Sequence, residues 1–316
     1  MTATPWWRHR RLLPLLIQAA AGLAILVVIA FLLGNLVRNL TAAGLLLSWR
    51  WLSMPAGFDV AETLLPFNAE LPYWRALLAG LVNTLRVVVL ALVGATALGT
   101  VVGTAAFSSN GLLRRLARTY VELIRNVPLL LQLLFWYFVV FLSLPSGAEA
   151  IQLPGLVLAK TGLYLGQTTL VNGEWQGTLR LTLEFSALLT ALVIHSAAFI
   201  AEVVRGGVAS VPRGQWEAAR SLGLGHRQTL SRIVLPQALR VIVPGLNSQY
   251  IALAKNSSLA VACGYSDLYS VAETTLNQTG RAVEVMLVLL GAYLAIDLLI
   301  SALMNRLNQL VQIQER

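Results

Sequence analysis

The chain holds a single cysteine, Cys263, which excludes an internal disulfide and a thiolate zinc site. It has three histidines, none at metal-ligand spacing, so no histidine metal cluster is expected. Charge is scarce as well. Asp, Glu, Lys and Arg make up 12% of the residues, whereas a soluble domain carries about 25%. Lysine is nearly absent, and of the 23 basic residues all but Lys160 and Lys255 are arginine. No nucleotide-binding motif is present, and no paired carboxylates or metal cluster suggest an intramembrane enzyme. A cleavable leader is not expected either. The apolar run after Arg11 is too long for the core of a signal peptide and lacks a small-residue cleavage site.

What fills the chain instead is apolar. Hydrophobic residues make up 57% of its 316 positions. Several stretches run near or beyond the roughly 18 apolar residues that cross a bilayer. The expected fold class is therefore an all-α polytopic membrane protein. Six spans are expected, at 13–37, 80–105, 122–142, 182–204, 241–263 and 284–304.

The net charge of +9 could indicate nucleic acid. In a membrane chain, arginines that hold loops on the cytoplasmic side account for it better, and no nucleic acid partner is expected. Six crossings place Arg8, Arg10 and Arg11, then Arg114, Arg115 and Arg118, then Arg205 to Arg240, then Arg306 and Arg316, on one side. Asp59, Glu62, Glu70, Glu149, Glu174 and Glu273 fall on the other. By the positive-inside rule both termini are cytoplasmic. Two long outside segments remain. Residues 38–75 carry Trp49 and Trp51, suited to a membrane interface, and residues 143–180 are rich in Gly and Pro, a re-entrant segment or a surface cap.

One cytoplasmic stretch, Glu217 to Pro236, reads EAARSLGLGHRQTLSRIVLP and fits EAA-x3-G-x9-I-x-LP at every fixed position. Ala218 and Ala219 are strong helix formers. Gly223 and Gly225 suit a left-handed helix end. A second helix is expected from His226, stopping near Pro236. The result is a helix, a sharp turn and a helix projecting from the bilayer.

This stretch is similar to the coupling loop of permease subunits of ATP-binding-cassette (ABC) importers. Three further stretches narrow the resemblance: Leu81-Val-Asn-Thr-Leu85, Glu122 through Phe138, and Ala198-Phe-Ile-Ala-Glu-Val-Val-Arg-Gly-Gly207 with Asn256-Ser-Ser-Leu259. Together the chain resembles polar amino acid permeases of the type I ABC importers over about Leu77 to Leu303. The extra N-terminal span and Pro66-Phe67 resemble the general L-amino acid subgroup. The resemblance implies five core transmembrane helices plus one N-terminal helix. It divides the chain into 1–75, a helix and periplasmic segment, and 76–316, a permease core with its coupling loop at 205–240. Glu217, Ala218, Ala219, Gly223, Ile233, Leu235 and Pro236 would meet the ATPase. The implied partners are an ABC ATPase dimer, a second and non-identical permease, a periplasmic substrate-binding protein and the lipid bilayer. The location implied is the bacterial inner membrane. The chain itself would carry no cofactor and catalyse nothing; ATP and Mg would be bound by the ATPase.

Polar groups at bilayer depth are the candidates for the substrate path. His195, Phe199 and Glu202 share one helix face. Glu202 either pairs with a substrate ammonium or with Arg205 one turn on. His195 either lines the path or bonds another helix. On the third span Glu122, Arg125, Leu129, Gln132 and Trp136 form a stripe, and Pro128 is a candidate kink whose freed carbonyl needs a partner. Gln132 either contacts substrate or bonds a neighbouring helix. Lys255, Asn256 and Ser257 lie in the fifth span, with Asp297 a candidate partner for Lys255. Arg86 either attracts a substrate carboxylate or forms a structural ion pair. Gly94, Gly99 and Gly103 suit close helix packing. The competing readings are an ion-driven secondary transporter, for which no internal repeat is evident, and a type I permease for a different solute, against which the stretches around Glu122 and Glu202 argue by resemblance.

Overall fold

Runs of Leu, Val and Ala without polar interruption must close their backbone hydrogen bonds internally, and in a bilayer a helix does this within one segment. A computed structural model of the chain, over residues 12–42, 44 and 47–312, has this form. Arg8, Arg10, Arg11 and Arg316, which contribute to the charge asymmetry, lie outside the described residues. The chain divides into two compact units between Arg50 and Trp51. The first contains the helix α1, Leu12–Ala42.

The second unit is built on α2 (Tyr73–Ala105), α5 (Leu183–Ala209) and α10 (Ala282–Val311). Among the described residues these three and α1 are long and apolar enough to cross a membrane. The expected span at 122–142 is corrected to a broken one. Helix α3 (Gly111–Arg125) and the run from α4 (Leu129–Leu134) through a π-helical turn (Phe135–Phe141) meet at a bend of 103°. Pro128 excludes a helical Val127 and has no N–H to donate, so the chain turns there rather than kinking gently. The expected stripe from Glu122 to Trp136 is thereby cut in two.

The coupling segment begins with α6 (Arg213–Ser221). After a turn, α7 (His226–Gln228), a π-helical turn (Thr229–Val234) and α8 (Leu235–Asn256) follow without interruption. The second helix of the hairpin therefore does not stop at Pro236. The wide turn just before Pro236 absorbs its missing donor and ring clash, and the helix continues into the fifth expected span. That span starts at Leu235, carries Arg240, Asn247, Gln249 and Lys255, and is not among the helices long and apolar enough to cross a membrane. It ends in a 3-10 helix, Ser257–Cys263, ahead of α9 (Leu268–Thr279).

Helices α2 and α5 form the central seam. They run parallel, since Arg86 lies by Phe185, Gly94 by Val193 and Gly103 by Val204. The glycines permit this. A Cβ at Gly99 would lie 2.9 Å from the Ala197 carbonyl oxygen, and one at Gly103 would lie 2.6 Å from that of Ala201. Adding a methyl at either forces the helices apart.

The outside segment 143–180 contains a sheet that the composition did not suggest. Strands β1 (Ile151–Leu153), β2 (Leu156–Ala159), β3 (Gly162–Val171) and β4 (Glu174–Leu181) form an antiparallel meander in chain order. Asn172 and Gly173, both at positive φ, make the two-residue turn between β3 and β4. Val157, Ala159, Tyr164 and Trp175 bury one small core. At the same end, Trp51, Val60, Tyr73, Leu268, Val271 and Val285 form a second cluster joining residues 51–60 to α2, α9 and α10.

Candidate coupling hairpin and transport path

Helix α6 ends where Gly223 takes a left-handed conformation, φ +75°. The Leu224 N–H donates to Ala219 O at 3.1 Å and the Gly223 N–H to Arg220 O at 2.9 Å, which closes the helix end with paired reverse bonds. Gly225 is not left-handed, contrary to the sequence expectation. It precedes α7 with φ −66° and receives the Gln228 side chain on its N–H at 3.3 Å.

The motif residues divide by burial. Ala219 is buried, and Ile233 and Leu235 are half-buried, so these hold the hairpin together. Glu217, Ala218, Gly223 and Pro236 are exposed and form its outer surface. Sequence reasoning missed Leu222, which stands at the tip 79% exposed. Its position directly before the Gly turn was the available signal. The base of the hairpin is braced. Trp216 stacks on His226 with ring centroids 5.9 Å apart, and His226 Nε2 lies 2.9 Å from Phe107 O, just beyond α2. These contacts tie the hairpin base to the residues that follow α2.

Inside the bundle, the expected His195–Phe199–Glu202 face exists. The His195 and Phe199 rings lie 5.0 Å apart, and the Arg125 guanidinium sits 5.1 Å from the Phe199 ring centre. Glu202 is paired with Arg205 through two contacts, 2.5 and 2.9 Å, so the local pair is the one formed in this conformation. Beside it opens a cavity of about 630 Å³ between α2, α3 and α5, lined by Arg118, Glu122, Arg125, Phe199, Glu202 and Arg205 among others. Its rim offers both signs of charge around one aromatic ring.

Gln132 takes on the task that the Pro128 break creates. Its Nε2 donates to Ile124 O at 3.0 Å and Val127 O at 2.8 Å, satisfying carbonyls released where α3 ends. The same nitrogen lies 3.1 Å from His195 Nδ1, and its Oε1 is buried with no hydrogen-bond partner. Lys255 reaches away to α10, where its Nζ lies 3.3 Å from Oδ2 of the candidate partner Asp297. Ser257 is buried and donates to Ala254 O at 2.7 Å, and Asn256 is half-buried at the end of α8. Arg86 forms an ion pair with Glu62 at 2.5 Å. Glu62, read in the sequence only as an outside charge, is thus an inward-facing residue.

Residues 95–313 match the family described as binding-protein-dependent transport system inner membrane component. The chain is 34% identical to the general L-amino acid transport system permease protein AapQ of Rhizobium johnstonii, with 89% of this chain and 87% of that protein covered. It is 33% identical to the glutamate/glutamine/aspartate/asparagine transport system permease protein BztB of Rhodobacter capsulatus, with 95% and 94% covered. A crystal structure of an amino acid ABC transporter with histidines matches with a TM-score of 0.56 and 27% identity, over 75% of this chain and 94% of that one.

Proposed function

We infer, from a chain that belongs to the family of binding-protein-dependent transport system inner membrane components, that it is the permease subunit of an ATP-driven importer of L-amino acids. The subunit is non-catalytic, and ATP with its Mg is bound and hydrolysed by a separate ABC ATPase dimer. A periplasmic binding protein delivers the amino acid, and a second, non-identical permease completes the path. The complex sits in the bacterial inner membrane with both termini of this chain cytoplasmic.

The observation that carries this reading is the braced hairpin, with its exposed Glu217, Ala218, Leu222 and Gly223. A short helix ended by a left-handed glycine is stiff, and Leu222 supplies an apolar contact for a groove on the ATPase. Closure of the ATPase dimer pushes α6. The Trp216–His226–Phe107 contacts pass the displacement to α2, and Ala219, Ile233 and Leu235 keep the hairpin from deforming. The substrate passes along the face of His195, Phe199 and Glu202, beside Gln132, with Lys255, Asn256 and Ser257 flanking the path from α8. At Glu202 an ammonium group competes with Arg205 for the carboxylate, so binding and pair opening are coupled.

The test is ATP hydrolysis by this chain, its partner permease, the ATPase and the binding protein in nanodiscs. Binding protein loaded with particular amino acids stimulates hydrolysis and so identifies the cargo. Assembly without such stimulation rejects the amino acid and keeps the class. Glu217→Arg and Gly223→Pro abolish ATP-driven uptake with membrane insertion intact, because proline cannot adopt the positive φ of residue 223. Unchanged uptake in both variants rejects the coupling role.

A further inference from the structure

Between Pro55 and Pro72 the chain makes a strap across one end of the bundle. Its base is closed by the Pro55–Pro72 bridge and by the bonds from Ala56 N–H to Leu71 O, 2.8 Å, and Gly57 N–H to Ala69 O, 2.9 Å. Phe58 packs against Phe67 and Tyr73, with ring centroids 6.5 and 6.2 Å away. Asp59 and Glu70 are exposed, but Glu62 turns inward, its side chain 15% exposed.

What receives Glu62 is a set of groups suited to a carboxylate. Arg86 Nη1 lies 2.5 Å from one of its oxygens, and the Thr182 hydroxyl donates to the other. The Arg86 guanidinium lies 4.1 Å from the Phe185 ring centre, which fixes its plane. Asn83 Nδ2 donates to the Glu62 backbone oxygen at 2.5 Å and to Ser266 O at 2.8 Å. Asn83 is fully buried, and its Oδ1 has no hydrogen-bond partner. An unpaired buried acceptor beside a carboxylate-reading guanidinium is the complement of an α-amino acid: Arg86 and Thr182 for its carboxylate, Asn83 Oδ1 for its ammonium. Between Gly57 and Leu71 the strap has no helix or strand of its own, and above its backbone base it is held by two aromatic pairs, a few buried side chains and the bonds that converge on Glu62.

We propose that Arg86, Thr182 and Asn83 form an entry site for a zwitterionic amino acid, and that Glu62 is its built-in occupant, a latch whose carboxylate the substrate's carboxylate replaces. The proposal rests on the amino acid importer reading for its cargo. Exchange of one carboxylate for another keeps Arg86 paired throughout, so the strap lifts without leaving a buried charge alone. With no substrate the latch closes this end of the path.

Two variants and one labelling assay test it in the full reconstituted complex. Glu62→Gln keeps the strap's shape and weakens the latch, and ATP hydrolysis without loaded binding protein rises about fivefold or more. The charge-swapped pair, Glu62→Arg with Arg86→Glu, restores assembly but leaves uptake at least about 20-fold down, because the guanidinium no longer faces the substrate. Recovery of normal uptake by the swapped pair overturns the proposal and leaves a strap-holding ion pair only. The third readout does not require amino acids as cargo. In a Cys263→Ser background, Val60→Cys is labelled by an impermeant maleimide with acetate or ethylamine as probe. Acetate accelerates labelling of this strap position and ethylamine does not. Equal rates with both overturn the latch, also where the swapped pair fails to assemble or where the wild-type complex is not stimulated by any amino acid.

Discussion

The two ends of the second unit are built on the same parallel helices, α2 and α5, and they close in opposite ways. At the sheet end the contacts are long-range and buried. Glu62 reaches Arg86 and Thr182, the Leu268 N–H donates to Thr84 Oγ1 at 3.0 Å, and Asp267 is 1% exposed between α2, α9 and α10. At the hairpin end the polar contact at the cavity is local, an exposed i,i+3 pair between Glu202 and Arg205, and the space beside it is open. A long-range buried pair opens only when another group takes the place of the partner that leaves, because otherwise a buried charge is stranded. A local surface pair is worth little and opens freely. In this chain the polar contacts are therefore long-range at the sheet end and local, beside an open cavity, at the hairpin end.

This contrast can be broken most severely at Arg86. Arg86→Ala strands the Glu62 carboxylate and lowers stability by about 3–5 kcal/mol, read as a large drop in the thermal midpoint of the detergent-solubilised complex. A drop no larger than that of a surface variant rejects the buried pairing at the sheet end.

Next comes Asp267, whose burial pushes its carboxyl up to about 6 despite the Ser270 N–H at 2.9 Å and the Tyr293 hydroxyl at 3.4 Å. Since the folded value lies above the unfolded one, the protonated form is favoured in the native state. Stability contributed here falls as pH rises from about 4 to about 6, by on the order of 3 kcal/mol, and is flat above. Asp267→Asn removes that slope, and thermal midpoints measured from pH 4 to pH 7 for both proteins check it.

Gln132→Leu sits at the junction of the two regimes. It releases the Ile124 and Val127 carbonyls and costs about 1–3 kcal/mol, with faster amide exchange at the α3–α4 bend as the local readout. The smallest structural effect is expected from Glu202→Gln, about 1 kcal/mol or less. Its uptake nevertheless falls while ATPase assembly persists. Normal uptake kinetics in this variant return Glu202 to a purely local pairing role.

Much of the frame was legible in order of residues. Long apolar runs specify helices by backbone satisfaction alone, and the Glu217–Pro236 pattern located the hairpin. Asp297 was legible as one candidate partner for Lys255, which the structure pairs, and the close packing of Gly99 and Gly103 was legible from the absence of a side chain. Other features needed more. The meander of 151–181 carried a readable sign, the alternating residues around Asn172-Gly173, but Gly and Pro content masked it. Pro236 was misread as a stop because a single proline ends a helix only when no wider turn precedes it.

Sequence by itself determined the membrane class, the position of the coupling hairpin and the list of polar groups that had to find partners, since each of these follows from local composition and spacing. Tertiary structure decided which partner each group took. Glu62 found Arg86 from 24 residues away, Gln132 turned back to cap its own chain break, and Glu202 stayed with its neighbour. The reason is physical: a buried charge or carbonyl is indifferent to distance along the chain and answers only to what the packing of helices brings within about 3 Å.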